Sequence, residues 1–187
     1  MIRAYRPADL DALYDICLDT GNGGKGARHL FDDPRLLGHA YVGPYVAFEP
    51  DLAFVVEDDE GVCGYAIAAS DSEAFEDRCD RDWWPDLRVR YPLGPNANRV
   101  VQHIHHPVKV DPTLVKDYPA HMHANLLPRA KGKGFGGKLV RTVLERLDKK
   151  GVHVHVRHEN THGIGFWEHL GFRVIDSADK LVLGLRL

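Results

Sequence analysis

Residues 126–140 read LLPRAKGKGFGGKLV, and this glycine-rich stretch decides the fold because it fits several phosphate-binding patterns at once. Gly132, Gly134 and Gly137 form G-x-G-x-x-G, which is typical of dinucleotide-binding folds. Gly132 to Lys138 form G-x-x-x-x-G-K, which is close to a nucleotide P-loop. Glycines let the backbone approach a ligand, and the start of a helix offers unpaired amides to an anion. The stretch therefore predicts a phosphate-binding loop without naming the ligand.

A third pattern, R-x-x-G-x-G, begins at Arg129 and is repeated with lysine in the first place from Lys131. The loop follows the strand candidate HMHANLL (121–127) and precedes the helix candidate GKLVRTVLERLDKKG (137–151). One face of that helix carries the apolar residues Leu139, Val140, Val143, Leu144 and Leu147. All three patterns thus have the strand–loop–helix context that they need.

Residues outside the glycines separate the three patterns. A P-loop needs Ser or Thr after its lysine to bind Mg²⁺, and Leu139 follows Lys138 here. Glu159, 22 residues after Gly137, stands about where a ribose-binding acid belongs in a dinucleotide fold. Only 28 residues follow Glu159, however, which is too few for the further βα units of that fold. The third pattern remains.

The other segments predict a mixed α/β domain. IRAY (2–5) is a strand candidate, RPADLDALYDICLDT (6–20) a helix, GNGGKGARH (21–29) a loop and RLLGHAYVGPYVAFEP (35–50) a short helix or pair of turns. LAFVVEDDEGVCGYAIAAS (52–70) predicts a β-hairpin. Residues 74–120 lack a sustained period and predict a surface insertion, helical around Trp83–Arg90. Strands at 152–158, 172–175 and 181–187 and a short helix at 162–171 complete the chain.

Composition narrows the class of protein. With 187 residues and 44% apolar content, we expect one domain over 1–187, with the insertion at about 74–120. The net charge of −3 lacks the positive excess that is typical of nucleic-acid-binding proteins, so nucleic acid is not an expected partner. No apolar run approaches the ~20 residues that span a bilayer, so no membrane is expected. Cys17, Cys63 and Cys79 are odd in number and widely spaced, which favours a reducing cytoplasm.

The Gly loop together with ENTHGIGFWEHLGF (159–172) resembles the GNAT superfamily of acyl-CoA-dependent N-acyltransferases. More narrowly, segments 41–69, 83–92 and 123–139 are similar to bacterial acetyltransferases that resemble the acetyltransferase-like C-terminal domain of O-GlcNAc hydrolase. The resemblance implies an α/β fold: a central mixed, mostly antiparallel sheet with two splayed parallel strands, flanked by helices. It also implies acetyl-CoA as cofactor.

The same resemblance assigns the cofactor-binding residues. Leu126 and Leu127 match backbone positions that contact the pantetheine arm and lie near the thioester carbonyl. Lys131 stands where the family has Arg or Gln, Asn160 matches the family's Asn, and Trp167 is expected to pack against the sheet or the acyl arm. The loop completes the set with Gly132, Lys133, Gly134, Phe135, Gly136, Gly137 and Lys138, whose amides and charges would hold the pyrophosphate.

The catalytic residues predicted are His123 and Asn160. Alternation along the strand puts His121, His123 and Asn125 on one face, near the expected acyl position. His123 is the candidate general base because an unperturbed imidazole titrates near neutral pH. Asn160 is also a candidate helix N-cap. Trp167 replaces the tyrosine with which the family often protonates the leaving thiolate, and indole N–H is not a useful acid.

Three functions remain open at this point. The first is acetyl transfer from acetyl-CoA to an amine, on a small molecule or a protein, with Trp83, Trp84 and Tyr91 candidates for lining the acceptor pocket. The second is an acetyl-CoA-binding module with little or no activity, which Trp167 favours. The third, a zinc hydrolase, rests on histidine clusters such as His121/His123 and His153/His155 alone. We expect no native metal site, because splayed strands would separate those pairs, and we expect a monomer or homodimer.

Overall fold

A computed structural model describes residues 1–177 and 181–187 of the chain. Its centre is one seven-stranded sheet with the order β1-β2-β3-β4-β5-β7-β6. The strands are β1 (Ile2–Ala4), β2 (Ala53–Asp58), β3 (Gly61–Ala69), β4 (Ala120–Leu126), β5 (Gly151–Val156), β6 (Arg173–Asp176) and β7 (Leu181–Arg186). The hairpin expected between residues 52 and 70 is present as β2 and β3.

Nine α-helices in the described ranges cover the sheet on both faces. They are α1 (Leu10–Gly24), α2 (Leu36–Tyr41), α3 (Gly43–Phe48), α4 (Ser72–Asp82), α5 (Trp84–Arg90), α6 (Arg99–His105), α7 (Pro112–Val115), α8 (Phe135–Leu144) and α9 (Thr161–His169). Residues of α1 to α6 pack in one core cluster, and those of α8 and α9 pack in a second one on the opposite face. The apolar stripe of α8 explains its position, because Leu139, Val140 and Val143 are all 0% exposed.

Strands β4 and β5 are the one parallel pair among the described strands, and they separate soon after they begin. Their pairing is limited to Ala120 with Val152 and His121 with His153. The other neighbouring strands are antiparallel, and β3 and β4 pair over six residues from Gly64–Leu126 to Ala69–His121. The fold is therefore the mixed, mostly antiparallel α/β sheet with two splayed parallel strands that the sequence predicts.

Residues 74–120 are more helical and more deeply packed than a surface insertion would be. The segment carries most of α4 and all of α5, α6 and α7, whereas the sequence indicated a helix only around Trp83–Arg90. Ile104 is 0% exposed and Cys79 is 2% exposed, and both lie in the cluster built on α1. The prolines and the short helices hide this packing from an analysis of sequence periodicity. Across the described residues, no helix combines the length and apolarity needed to cross a bilayer.

Candidate functional site

The splay of β4 and β5 opens a cavity of about 200 Å³ inside the sheet. Consecutive residues at 122–125 and 154–157 line it, and the end of α1 closes one side through Thr20 and Gly23. Of the residues predicted from sequence, His123, Asn160 and Trp167 reach this cavity. The strands diverge toward their carboxyl ends, which is also where the Gly loop begins.

Backbone amides of β4 alternate in direction between β3 and the side where β5 diverges. The amide of Leu127 donates to the carbonyl of Cys63 on β3, at 2.8 Å. Because hydrogen-bonded and non-hydrogen-bonded pairs alternate along an antiparallel ladder, the amides of Leu126 and Ala124 face away from β3, toward β5. The Leu127 N–H is therefore already engaged within the sheet and is not available to polarise a thioester carbonyl, whereas the amides of Leu126 and Ala124 are not used by β3.

The Gly loop presents a row of unused amides beside the opening of the splay. Gly132 and Gly134 adopt positive φ angles of 72° and 74°, a conformation that glycine adopts without strain. Among the described residues, none accepts a hydrogen bond from the amides of residues 132–137, which end at the first turn of α8. Such a row, at the positive end of a helix dipole, is an anion-binding arrangement.

The positive charges around the loop come from lysines. Lys131, Lys133 and Lys138 are exposed, and no carboxylate in residues 1–177 or 181–187 forms an ion pair with them. Arg129 instead donates from Nε to Asp58 at 3.0 Å. Of the two overlapping R/K-x-x-G-x-G motifs, the one that begins at Lys131 therefore has a first residue whose charge is not paired with Asp58.

Helix α9 is held next to the loop by close backbone contacts. A Cβ on Gly136 would lie 2.9 Å from the ring of Phe166, so only glycine allows α8 and α9 to approach this closely. Asn160 is the N-cap of α9, because its side chain accepts from the amide of Gly163 at 3.0 Å. The capping role predicted for Asn160 is confirmed, and the same residue lines the cavity.

Trp167 is 6% exposed and packs edge-on against Phe172, with ring centroids 4.9 Å apart. Its ring forms part of the cavity wall on the side of α9. An indole in this place supplies an apolar surface and one N–H donor but no acid that titrates near neutral pH.

A second, larger cavity of about 850 Å³ lies on the α1–α6 side of the sheet. Its wall combines aromatic residues with the histidines of β4 and β5, and its aromatic lining includes Tyr41, Tyr45, Phe75 and Trp84. His123 and His155 line both cavities and therefore stand between them. Of the aromatic residues predicted to shape an acceptor pocket, only Trp84 lines this cavity. The Trp83 indole donates to the carbonyl of His39 at 2.9 Å, and the Tyr91 hydroxyl donates to Asp33 at 2.6 Å.

The hydroxyl of Tyr45, on α3, bridges the two histidines of β4, His121 and His123. This hydroxyl lies 2.7 Å from Nε2 of His121 and 2.9 Å from Nε2 of His123. The other nitrogen of His121 lies 2.7 Å from Oγ of Ser72. Burial raises the pKa of Tyr45 well above its usual value and, aided by the charge of His123, lowers the pKa of His121 well below 6.5.

His153 on β5 is a buried neutral histidine. It is 1% exposed, and its Nδ1 lies 2.8 Å from the carbonyl of Tyr118. Burial lowers its pKa from 6.5 to about 4, while the hydrogen bond to Tyr118 opposes the shift. The rings of His121 and His153 are 5.7 Å apart, because these residues pair before the strands diverge. The expectation that the splay separates the two histidine pairs is therefore wrong at this position.

The polar atoms of these histidines are engaged with protein groups rather than gathered around one point. Ser72 and Tyr45 hold His121, and the Tyr118 carbonyl holds His153. Within the described part of the chain, no group of three or more His, Cys, Asp or Glu side chains is arranged to hold a metal ion. The histidines are thus hydrogen-bonded lining of the larger cavity.

Proteins of known structure or family share the fold described above. The family model described as FR47-like protein matches residues 113–181, which include β4, the Gly loop and α9. The crystal structure of SsHAT is 34% identical, covers 100% of this chain and 97% of its own, and superposes with a TM-score of 0.90. A GNAT superfamily phosphinothricin acetyltransferase from Sinorhizobium meliloti, in complex with acetyl-CoA, has the same fold (15% identity, TM-score 0.58, 100% of this chain and 88% of that one). This chain belongs to the GNAT superfamily.

Two further relatives extend the comparison of this GNAT protein. The structure of YncA from Salmonella typhimurium, which holds its cofactor acetyl-CoA, shares the fold at 18% identity and a TM-score of 0.57, over 100% of this chain and 93% of that one. Protein O-GlcNAcase from Rattus norvegicus is 26% identical over 180 residues, which are 91% of this chain and 20% of that protein. This chain thus spans about a fifth of the length of that curated relative.

Sequence reasoning missed Tyr45 and Ser72, which hold the histidines from positions far away along the chain. Tyr45 lies 76 residues before His121, and Ser72 lies 49 residues before it. The segment GPYVAF of α3 lies in the stretch predicted as a short helix or a pair of turns, and no role was predicted for Tyr45. A hint was available in Gly43 and Pro44, which start a short helix and so turn Tyr45 toward the sheet.

Proposed function

We propose that this protein is an N-acetyltransferase that uses acetyl-CoA and transfers the acetyl group to an amine. One observation carries the proposal: the unused amides of residues 132–137 and the cavity between β4 and β5 lie at the same end of the splay. Together they offer a place for a pyrophosphate and, next to it, a slot for a slender uncharged arm. Membership of the superfamily supports the same conclusion.

Each part of the cofactor has matching residues. The pyrophosphate would accept hydrogen bonds from the amides of residues 132–137, with Lys131, Lys133 and Lys138 adding charge. The pantetheine arm would lie along β4 at Leu126 and Leu127. Trp167 and Asn160 would close the slot from α9, where both line the cavity. Phe135 begins α8 and so marks the end of the loop.

The chemistry would take place at the boundary between the two cavities. The acceptor amine would enter through the larger cavity and attack the thioester carbonyl, whose oxygen would accept from the amide of Ala124 or Leu126. His123 would take the proton that the amine loses, because it lines both cavities. The two buried histidines beside it are neutral at pH 7, so they add no positive charge that would repel a proton taken up there.

The second candidate function is acetyl-CoA binding without transfer, as in a sensor or interaction module. Trp167 favours it, since no tyrosine hydroxyl stands at that position to protonate the thiolate. Both candidates require the cofactor, and they differ only in turnover. The acceptor class (small molecule or protein), the monomeric or dimeric state and a cytoplasmic location stay predictions.

Calorimetric titration with acetyl-CoA tests what the two candidates share. Lys131→Ala should weaken binding about two- to fivefold, with a smaller dependence on salt, since an exposed charge contact is worth about 0.5–1 kcal/mol. Lys25→Ala, an exposed lysine at the end of α1, is the matched control and should bind like the wild type. Absence of binding at high micromolar acetyl-CoA would remove both candidates.

A thiol-release assay across a panel of amines then separates them. An N-acetyltransferase releases free CoA only when a suitable amine is present, and His123→Ala should lower kcat roughly a hundredfold with unchanged acetyl-CoA affinity. Tight binding with no release above the uncatalysed rate for small amines and lysine peptides would select the binding module.

A further inference from the structure

We infer that Ser72, His121 and Tyr45 form a hydrogen-bond chain of fixed polarity that holds His123 in one tautomer, with its basic nitrogen at Nδ1. This inference rests on the proposed acetyl transfer and assigns positioning residues to it. Ser72 is 0% exposed and Tyr45 is 6% exposed, so the chain runs inside the core, between α3, α4 and β4.

The polarity of the chain is set at its inner end by a carbonyl. Oγ of Ser72 lies 2.7 Å from the carbonyl oxygen of Pro119, and a carbonyl oxygen can only accept. The single hydroxyl proton of Ser72 is thereby used. Oγ of Ser72 must then accept from Nδ1 of His121, which lies 2.7 Å away, so His121 carries its proton on Nδ1.

The remaining two links follow from that assignment. His121 is neutral, because burial and its histidine neighbours lower its pKa well below 6.5, and its Nε2 is therefore an acceptor. The Tyr45 hydroxyl donates to this Nε2 over 2.7 Å. With its proton used, the oxygen of Tyr45 accepts from Nε2–H of His123 over 2.9 Å. A neutral His123 that is protonated on Nε2 carries its lone pair on Nδ1.

The rings are also held at fixed angles. Tyr45 meets His121 and His123 edge-on, at interplanar angles of 82° and 88°. Phe75 of α4 packs against Tyr45 and against His121, with ring centroids 4.6 Å and 5.5 Å apart. The hydroxyl of Tyr45 is therefore presented to both histidines by packing as well as by hydrogen bonds.

The chain has a consequence for the path of the proton. A proton passed through Tyr45 would leave His121 as a buried cation, which its lowered pKa disfavours, and the Pro119 carbonyl cannot pass a proton further, so a proton taken up at Nδ1 of His123 leaves from Nδ1. In the proposed transfer, Nδ1 would take the N–H proton of the attacking amine as the C–N bond forms. Nδ1 would then return that proton to the sulfur as the C–S bond breaks, which would give free CoA thiol, the acetylated amine and neutral His123. His123 thus serves as base and then as acid, the role that Trp167 cannot fill.

Nitrogen-15 NMR of histidine-labelled protein reads the tautomer directly and needs no activity. Long-range ¹H–¹⁵N spectra near pH 8, with the signals of His123 identified by their loss in His123→Gln, should show protonated Nε2 and unprotonated Nδ1. A protonated Nδ1, or an averaged mixture of tautomers, in the wild type would overturn the inference.

Ser72→Ala tests the assigned polarity most sharply. Without the serine oxygen, Nδ1–H of His121 loses its acceptor, so His121 should move its proton to Nε2 and reverse the chain. His123 should then be protonated on Nδ1, and kcat should fall roughly tenfold or more, with the KM for acetyl-CoA unchanged. His123 still protonated on Nε2 in Ser72→Ala would contradict the chain.

Tyr45→Phe removes the middle link, and Tyr65→Phe is its matched control. Tyr65 is also a fully buried tyrosine, 1% exposed, but its hydroxyl lies beside Cys17 instead of the histidines. The Tyr45 change should leave His123 as a mixture of tautomers, and the Tyr65 change should leave it on Nε2 alone. If no acceptor is ever acetylated, the transferase proposal fails on the thiol assay, whereas the NMR results still decide the chain.

Discussion

Acid conditions should destabilise this fold through His153, by an amount that the structure allows us to work out. The pKa of His153 falls from 6.5 to about 4, chiefly through burial, with repulsion from His155 adding to the shift and the hydrogen bond to Tyr118 opposing it. The unfolded chain binds this proton near pH 6.5, whereas the folded chain binds it only near pH 4. Stability is therefore fully present above pH 6.5 and is lost as the pH falls through this window. At about 1.4 kcal/mol per pKa unit, His153 removes about 2 kcal/mol between pH 7.5 and 5.0, and about 3 kcal/mol by pH 4.

Urea unfolding at pH 7.5 and pH 5.0, followed by circular dichroism, measures this loss. His153→Asn keeps a donor for the Tyr118 carbonyl but cannot titrate, so its stability should fall about 2 kcal/mol less than that of the wild type over the same interval. His29→Asn changes an exposed histidine and should behave like the wild type. Comparing intervals cancels the carboxylates, which titrate in every variant. Equal losses for the wild type and His153→Asn would refute the reasoning.

Three further predictions concern packing and capping. Gly165→Ala in α9, where an added Cβ meets nothing within 4 Å, should raise the free energy of unfolding by about 0.5–1 kcal/mol through helix propensity, as a urea midpoint would show. Ile104→Ala should cost about 2–5 kcal/mol because this side chain is 0% exposed, while Val89→Ala, at an 84% exposed position of α5, should stay within about 0.5 kcal/mol; equal effects would mean that the segment around α6 is not part of the core. Asn160→Ala should lose about 1 kcal/mol of stability and also weaken acetyl-CoA binding, whereas Asn160→Ser should restore the stability alone; affinity restored by serine would leave Asn160 as a cap only.

Local patterns predicted much of the fold. The apolar alternation around the turn at residues 58–61 gave the β2–β3 hairpin, and the stripe that includes Leu139 and Val143 gave α8. The Gly loop and the segment from Asn160 to Phe172 carried the family, since their spacing is short-range information. In each case the deciding residues lie within a few turns of each other along the chain.

Contacts between distant segments were beyond reach of those patterns. The hydrogen bonds of Tyr45 to β4 join residues almost eighty positions apart, and no period in the sequence marks them. The helices α4 and α6 are short and follow prolines or polar turns, so their buried faces give little periodic signal. The direction of the Leu127 amide likewise depends on the register between β3 and β4, which a single strand does not reveal.

The brief pairing of β4 with β5 divides the sheet mechanically into two parts. Among the described residues, β1 to β4 on one side and β5 to β7 on the other are continuous antiparallel ladders, and within the sheet two residue pairs join them. A ligand bound between β4 and β5 would contact both parts of the sheet and link them. Hydrogen exchange should report this: bound acetyl-CoA should slow exchange in β5 and β7, whose opening separates the two parts, more than in the β2–β3 hairpin, which lies within one part.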